Sequence, residues 1–248
     1  MKNNIVRFLI APIIILFVVF AANAQKNMKP IPKPISTSAP KTIEKPVEKP
    51  IEKPVVKTEQ KVSMSALEQS VAEEINAART DPKIYLPYLE EYRKSLKGNV
   101  LYLPNSSGIA MIEGASAIDE AIEELKKMPK TDAFAVTNGM NKVAKIHLDD
   151  LMDDDTLGHK SKDGSDLTAR FSRVGFSDGR IAENISYKVD KAREVVLTMI
   201  IDDGLKSRSH RKNIFSPTFK LLGIACGKGK SNTALCVAEF ADAFAEKK

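Results

Sequence analysis

Residues 181–215 read IAENISYKVDKAREVVLTMIIDDGLKSRSHRKNIF, and this run decides how the rest of the chain is understood. Glu183-Asn184 has the form of a capping pair in a turn. The segment EVVLTMIIDD (194–203) reads as a helix ending on two adjacent acids. His210 follows that helix end, where a histidine commonly interacts with the helix dipole. Arg208, Arg211 and Lys212 read as its solvated neighbours, with Ile214 and Phe215 anchoring the loop in the core. Taken singly, none of these residues requires a function.

The chain on the C-terminal side of this run has a different pattern. KLLGIACGKG (220–229) and TALCVAEFADAF (233–244) are β-like and joined by a Gly/Lys/Ser/Asn turn. Antiparallel pairing would set Cys226 opposite Cys236, the only two cysteines, so hairpin and disulfide support each other. On the N-terminal side, helices come first. Ser65 and Glu68 have capping-box spacing, and Leu67, Val71, Ile75 and Ala78 form one apolar face. Asp81-Pro82 stops that helix, YLPYLEEYRKSL continues as a second helical piece, and GNVLYLPNSSG is loop-like. Ile118, Ala121, Ile122 and Leu125 mark a third helix, and another carries His147 near its C-terminal part. Helices ahead of a small antiparallel sheet give an α+β class, with the sheet layered between helices.

The first 24 residues have a positive n-region (Lys2, Arg7), an apolar run to Phe20 and Ala22-Asn23-Ala24 before Gln25. This is the pattern of a secretory signal peptide. Residues 25–61 repeat [IV]-E-K-P and are expected to form an extended Pro/Lys-rich tether, leaving the folded domain at 62–248. The charge is placed accordingly. Of the net +6, Lys2 and Arg7 give +2, and nine lysines against four glutamates in 25–61 give +5, so the domain carries −1. A nucleic-acid binder needs a basic face on the domain itself, and this one has no excess of positive charge to supply it.

Read together, "GHKSKDGSDL", "AENI" and "HRKNIF", in that order and spacing, resemble the CAP superfamily. That group holds cysteine-rich secretory, antigen 5 and pathogenesis-related proteins and bacterial SCP-like exported proteins. The resemblance covers roughly residues 140–241, and more loosely the leading helix. It implies an α/β/α sandwich with a small antiparallel sheet between helical layers, and a central cleft bearing two histidines and two acids. By position these are His159, Glu183 and His210, with Asp202 as the second acid and Asp203 as the near alternative. This chain departs from the pattern at Ala182, where Gly is usual, and at Met199, where many members have Trp. His147 matches no place in the set and reads as structural.

Two neutral imidazoles could ligate a divalent cation such as zinc, with the carboxylates orienting the rings. Without metal, each acid would raise the pKa of its histidine, and the cleft would respond to pH near 6 to 7. The resemblance implies a monomeric, exported, non-catalytic module taking a lipid, small molecule, peptide or protein partner. Its tether would associate it with the envelope. The alternative is a metal-dependent hydrolase in which His159 and His210 hold the cation and Glu183 is the general base. No HExxH helix, nucleophile elbow or evident Ser-His-Asp set is present.

Overall fold

Ser65 and Glu68 start the first helix, α1 (Ala66–Thr80), by a reciprocal cap. The Ser65 hydroxyl accepts from the Glu68 amide at 3.3 Å, and the Glu68 carboxylate from the Ser65 amide at 2.7 Å. The computed structural model describes residues 63–103, 108–154 and 158–247. The expected leader (1–24), the tether (25–61) and the domain boundary at 62 lie outside the described residues. Val71, Ile75 and Ala78 are fully buried, as their spacing predicts. After Asp81 the chain passes through a short 3-10 turn (Pro82–Tyr85) into α2 (Leu86–Ser95).

The stretch expected to be loop, 98–108, contributes a strand, β2 (Val100–Leu101), to a small antiparallel sheet between β1 (Leu96–Lys97) and β3 (Ile109–Ala110). Then follow α3 (Ala115–Lys127), β4 (Ala135–Val136), α4 (Asn138–Asp154), α5 (Leu167–Val174) and β5 (Gly175–Phe176). His147 sits in the middle of α4 rather than near its end. The chain closes with β6 (Ile181–Tyr187), α6 (Ala192–Ile201), α7 (Ser209–Phe215), β7 (Leu221–Lys228), β8 (Ala234–Ala241) and β9 (Ala245–Glu246), which pairs with β5.

The central sheet has the order β4-β7-β8-β6; it is antiparallel except for β4, which runs parallel to β7. Because strand side chains alternate, each strand serves both helical layers. Ala225, Leu235 and Val237 meet Ala144, Leu148 and Leu151 of α4 on one face. Leu222, Ile224, Ala238 and Phe240 face the layer built on α1, α3 and α6. The result is an α+β, α/β/α arrangement. Among the described residues no helix is long and apolar enough to cross a membrane.

Cys226 and Cys236 are register partners in the β7–β8 hairpin and form a disulfide. Two local readings change. Residues 181–187, AENI included, form a strand, not a turn, because β8 offers a full-length partner from Ile181↔Ala241 to Tyr187↔Leu235. HRKNIF is a helix, not a loop. Its Ile214 and Phe215 are buried as expected.

Candidate functional site

The alternation of β6 separates neighbours in AENI. Glu183 faces the α4 and α5 side, while Asn184 faces α7. The Glu183 carboxylate accepts from His159 Nδ1 at 2.7 Å and from an Arg170 guanidinium nitrogen at 2.5 Å. His147 Nε2 donates to the Gly158 carbonyl at 2.8 Å and lies 3.6 Å from the same carboxylate. Arg170, fully buried on α5, also donates to the His159 carbonyl at 3.0 Å and so fixes the loop that carries the histidine. Directly across the ladder stands Glu239, fully buried, and among the described residues no N–H group donates to either of its carboxyl oxygens.

Charge sorts this group into distinct states. Burial opposes ionisation of Glu183, but hydrogen bonds from His159 and from the facing Glu239 carboxyl, with the charges of His147 and Arg170, outweigh it, so its pKa lies below the ordinary value. Burial, reinforced by the facing Glu183 carboxylate, pushes Glu239 well above the ordinary range. Two carboxylates so close do not both ionise. Burial lowers the pKa of His147; the Glu183 hydrogen bond raises that of the half-exposed His159.

The raised folded-state pKa of Glu239 makes a prediction whose sign is fixed. Its protonated form stabilises the fold fully below the unfolded carboxyl pKa of about 4.3, and that contribution is lost as pH rises toward the folded value. Glu239→Gln never ionises and is therefore expected to be more stable than the parent at neutral pH. The gap should widen from about pH 5 to 7, by at most about 1.4 kcal/mol per pH unit. Thermal melts across that range check it; a gap independent of pH would contradict the assignment.

The second histidine has its own acid. Asp202 ends α6 in the left-handed region (φ 56°), which turns its carboxylate onto the start of α7. It accepts from the His210 amide at 2.8 Å, and His210 Nδ1 lies 3.0 Å from its other oxygen. Asp203 is committed elsewhere. Its carboxylate takes the amides of Ile112, Glu113 and Gly114 at 2.5, 2.8 and 3.1 Å, ahead of α3. Asn184 donates to the His210 carbonyl at 2.9 Å and accepts from Asn213 at 2.9 Å, so the asparagines of AENI and HRKNI bind β6 to α7.

Arg208 and Arg211 are not solvated neighbours of His210. They are 6% and 1% exposed; only Lys212 of the three faces solvent. Arg208 donates to Glu113, Glu120 and the Asp202 carbonyl, and Arg211 to Glu120, Glu124 and the carbonyls of Ile200 and Ile201. These bonds clamp α7 to α6 and α3. Their acidic partners lie 87 to 95 residues away in sequence, where no local pattern reveals them.

Beside the second pair opens a groove of about 340 Å³. Asp202 and His210 line it, with Tyr92, Leu101, Met199 and Leu205 among its walls. His159 and Glu183 do not, and among the described residues no hydrogen bond or ion pair joins the two pairs. The expected four residues thus form two pairs, each histidine with Nδ1 against its acid.

For a cation, this leaves each ring with Nε2 free of hydrogen bonds among the described residues, as an imidazole ligand requires. Yet among the described residues no three His, Cys, Asp or Glu side chains gather to hold one. The donors present do not amount to a zinc site of three or four protein ligands. Arg170 and Glu239, neither among the expected four, shape the first pair most. Arg170 had a faint signal in its place downstream of GHKSKDGSDL, and Glu239 as an acid at an inward-facing position of a β run.

The model of the CAP, cysteine-rich secretory protein family matches residues 73–240. No curated protein matches the chain. Among solved structures, an outer surface protein from Borrelia burgdorferi is 18% identical, with a TM-score of 0.39, over 66% of this chain and 93% of its own. An extracellular protein containing an SCP domain from Bacillus anthracis is 24% identical, with a TM-score of 0.35, over 51% and 39% respectively. NaASP2, solved with Zn2+, is 16% identical, with a TM-score of 0.37, over 73% and 83%.

Proposed function

The chain belongs to the CAP, cysteine-rich secretory protein family, and from that premise we propose that it is an exported, non-catalytic binding module whose ligand occupies the groove beside His210 and Asp202. The leader at 1–24 would direct export, and the segment at 25–61 would tether the domain. The groove carries the proposal. It combines apolar walls with one oriented polar pair, the composition of a small-ligand site. Ile112 and Leu205, 76% and 40% exposed, stand on its rim, although large apolar side chains gain nothing from water. Asp202 stands 3.0 Å from His210 Nδ1, which leaves Nε2 to meet a ligand's polar group.

The probe is 1-anilinonaphthalene-8-sulfonate, which joins an apolar body to an anionic group. The full chain should bind it saturably, and an Ile112→Lys/Leu205→Lys variant should bind about tenfold more weakly. Phe176→Lys, at an exposed apolar residue outside the groove, should leave binding unchanged. No saturable binding, or equal affinity in the groove variant, overturns the proposal.

One observation favours a second reading, a metal-dependent hydrolase: both histidines have a carboxylate behind Nδ1 and, among the described residues, a free Nε2. It requires that the heat of Zn2+ binding to the full chain be lost in a His159→Ala/His210→Ala variant. Equal heats from the two proteins remove it.

A further inference from the structure

We propose that the groove receives an extended peptide that adds a strand to the free edge of β6, an inference that rests on the groove being the binding site. β6 is the last strand of the central sheet, and β3 is the last strand of the small one. Both line the groove, β6 through Ile185 to Tyr187 and β3 through Ile109 and Ala110. The cavity therefore lies against two strands that each have a partner on one side only.

The register shows which backbone groups of β6 are available. Lys188 donates its amide to the Ala234 carbonyl at 2.9 Å, and Asp242 its amide to the Arg180 carbonyl at 3.2 Å. Hydrogen-bonded pairs alternate along an antiparallel ladder. The even-numbered residues of β6 thus exchange bonds with β8, and the N–H and C=O groups of Ile185 and Tyr187 point outward. Among the described residues nothing takes them. Open edges of this kind pair readily with another chain and are usually blunted by proline or inward-pointing charge. The run Ile185-Ser186-Tyr187 has neither.

This selects the chemistry of the occupant. A lipid tail would fill the apolar walls and leave the row of main-chain groups unpaired, whereas an extended peptide satisfies both. Its side chains would alternate between the groove and solvent, which calls for apolar residues at every second position. Charge fixes one end. Asp202 is taken by His210, and Asp203 by three backbone amides. Lys188, at the end of β6 and lining the groove, makes no ion pair among the described residues. The peptide should therefore place an acidic side chain or its terminal carboxylate beside Lys188.

The test is selection of random octapeptides displayed on phage against the full chain, followed by synthesis of the enriched peptides and of analogues N-methylated at single residues. Alternating apolar peptides with an acidic end are expected. N-methylation at ladder-facing positions should weaken binding about tenfold or more, and at the intervening positions should leave it nearly unchanged. Amide exchange at Ile185 and Tyr187 should slow on binding. Lys188→Glu, at an exposed position, should switch preference to basic-ended peptides.

Three results would overturn the inference. If no peptide is enriched while the naphthalene sulfonate still binds the groove, peptide recognition fails and the binding module stands. If peptides bind without periodic sensitivity to N-methylation, the strand mode fails. If Ile185 and Tyr187 become protected by protein concentration alone, the occupant is a second copy of the chain.

Discussion

Arg170→Met is expected to destabilise the protein by about 3–5 kcal/mol, the cost of stripping the partner from a buried charge. Arg170 and the Glu183 side chain are 0% and 2% exposed, so water cannot replace the guanidinium. Glu183 would face Glu239 without its buried guanidinium, with the half-exposed His159 imidazole left beside it, and the His159 carbonyl would lose its donor. Methionine keeps most of the volume, so the effect reports charge and hydrogen bonding more than packing. Denaturant unfolding of the variant checks the magnitude. Combining it with Glu183→Gln should recover a large part of the loss. Independent, additive costs would contradict the coupled network described for this face of β6.

The second large effect lies away from the candidate site. Gly223→Ala should cost about 3 kcal/mol, the upper end of overpacking penalties, because the new methyl group has no space. A Cβ at Gly223 would fall 2.2 Å from the main-chain carbon and oxygen of Met140 and 2.8 Å from the Asn141 nitrogen. These are backbone atoms of α4 and cannot rotate away. Since α4 carries His147, its displacement should also loosen the His147 contact to Gly158. Unfolding in urea measures the loss. Stability equal to the parent would show that α4 does not sit on β7 as described.

Much of the architecture was readable from local chemistry. The capping box at Ser65, the faces of α1 and α3, and the β7–β8 hairpin with its disulfide all rest on residues close in sequence. Periodicity and caps act over that range. The strand around Glu183 was not readable, because IAENISY is stabilised by pairing along its whole length with β8, some fifty residues on. The same limit applies to α7. Its length is short, and what holds it are Asp202, Asn184 and the acids of α3, all supplied by tertiary structure.

The four candidate residues were legible as an ordered set of motifs, and the structure joins His159 to Glu183 and His210 to Asp202. That they form two pairs, with only the second on the groove, depends on side-chain alternation in a strand the sequence reading took for a turn. The roles of Arg208 and Arg211 were hidden for a related reason. A basic residue beside a histidine looks like surface until the acids that bury it are located.

A ligand site in the groove at the edge of β6, beside His210 and Asp202, would place methionine methyl groups against the ligand. The most direct measurement is the methyl spectrum of the full chain with 13C-labelled methionine during titration with 1-anilinonaphthalene-8-sulfonate. Met111 and Met199 line the groove, while Met152 packs on the opposite face of the sheet with Leu148 and Leu235. The methyl signals of Met111 and Met199 should move together and saturate, with Met152 fixed. Movement of Met152 with Met111 and Met199 unchanged would contradict the account.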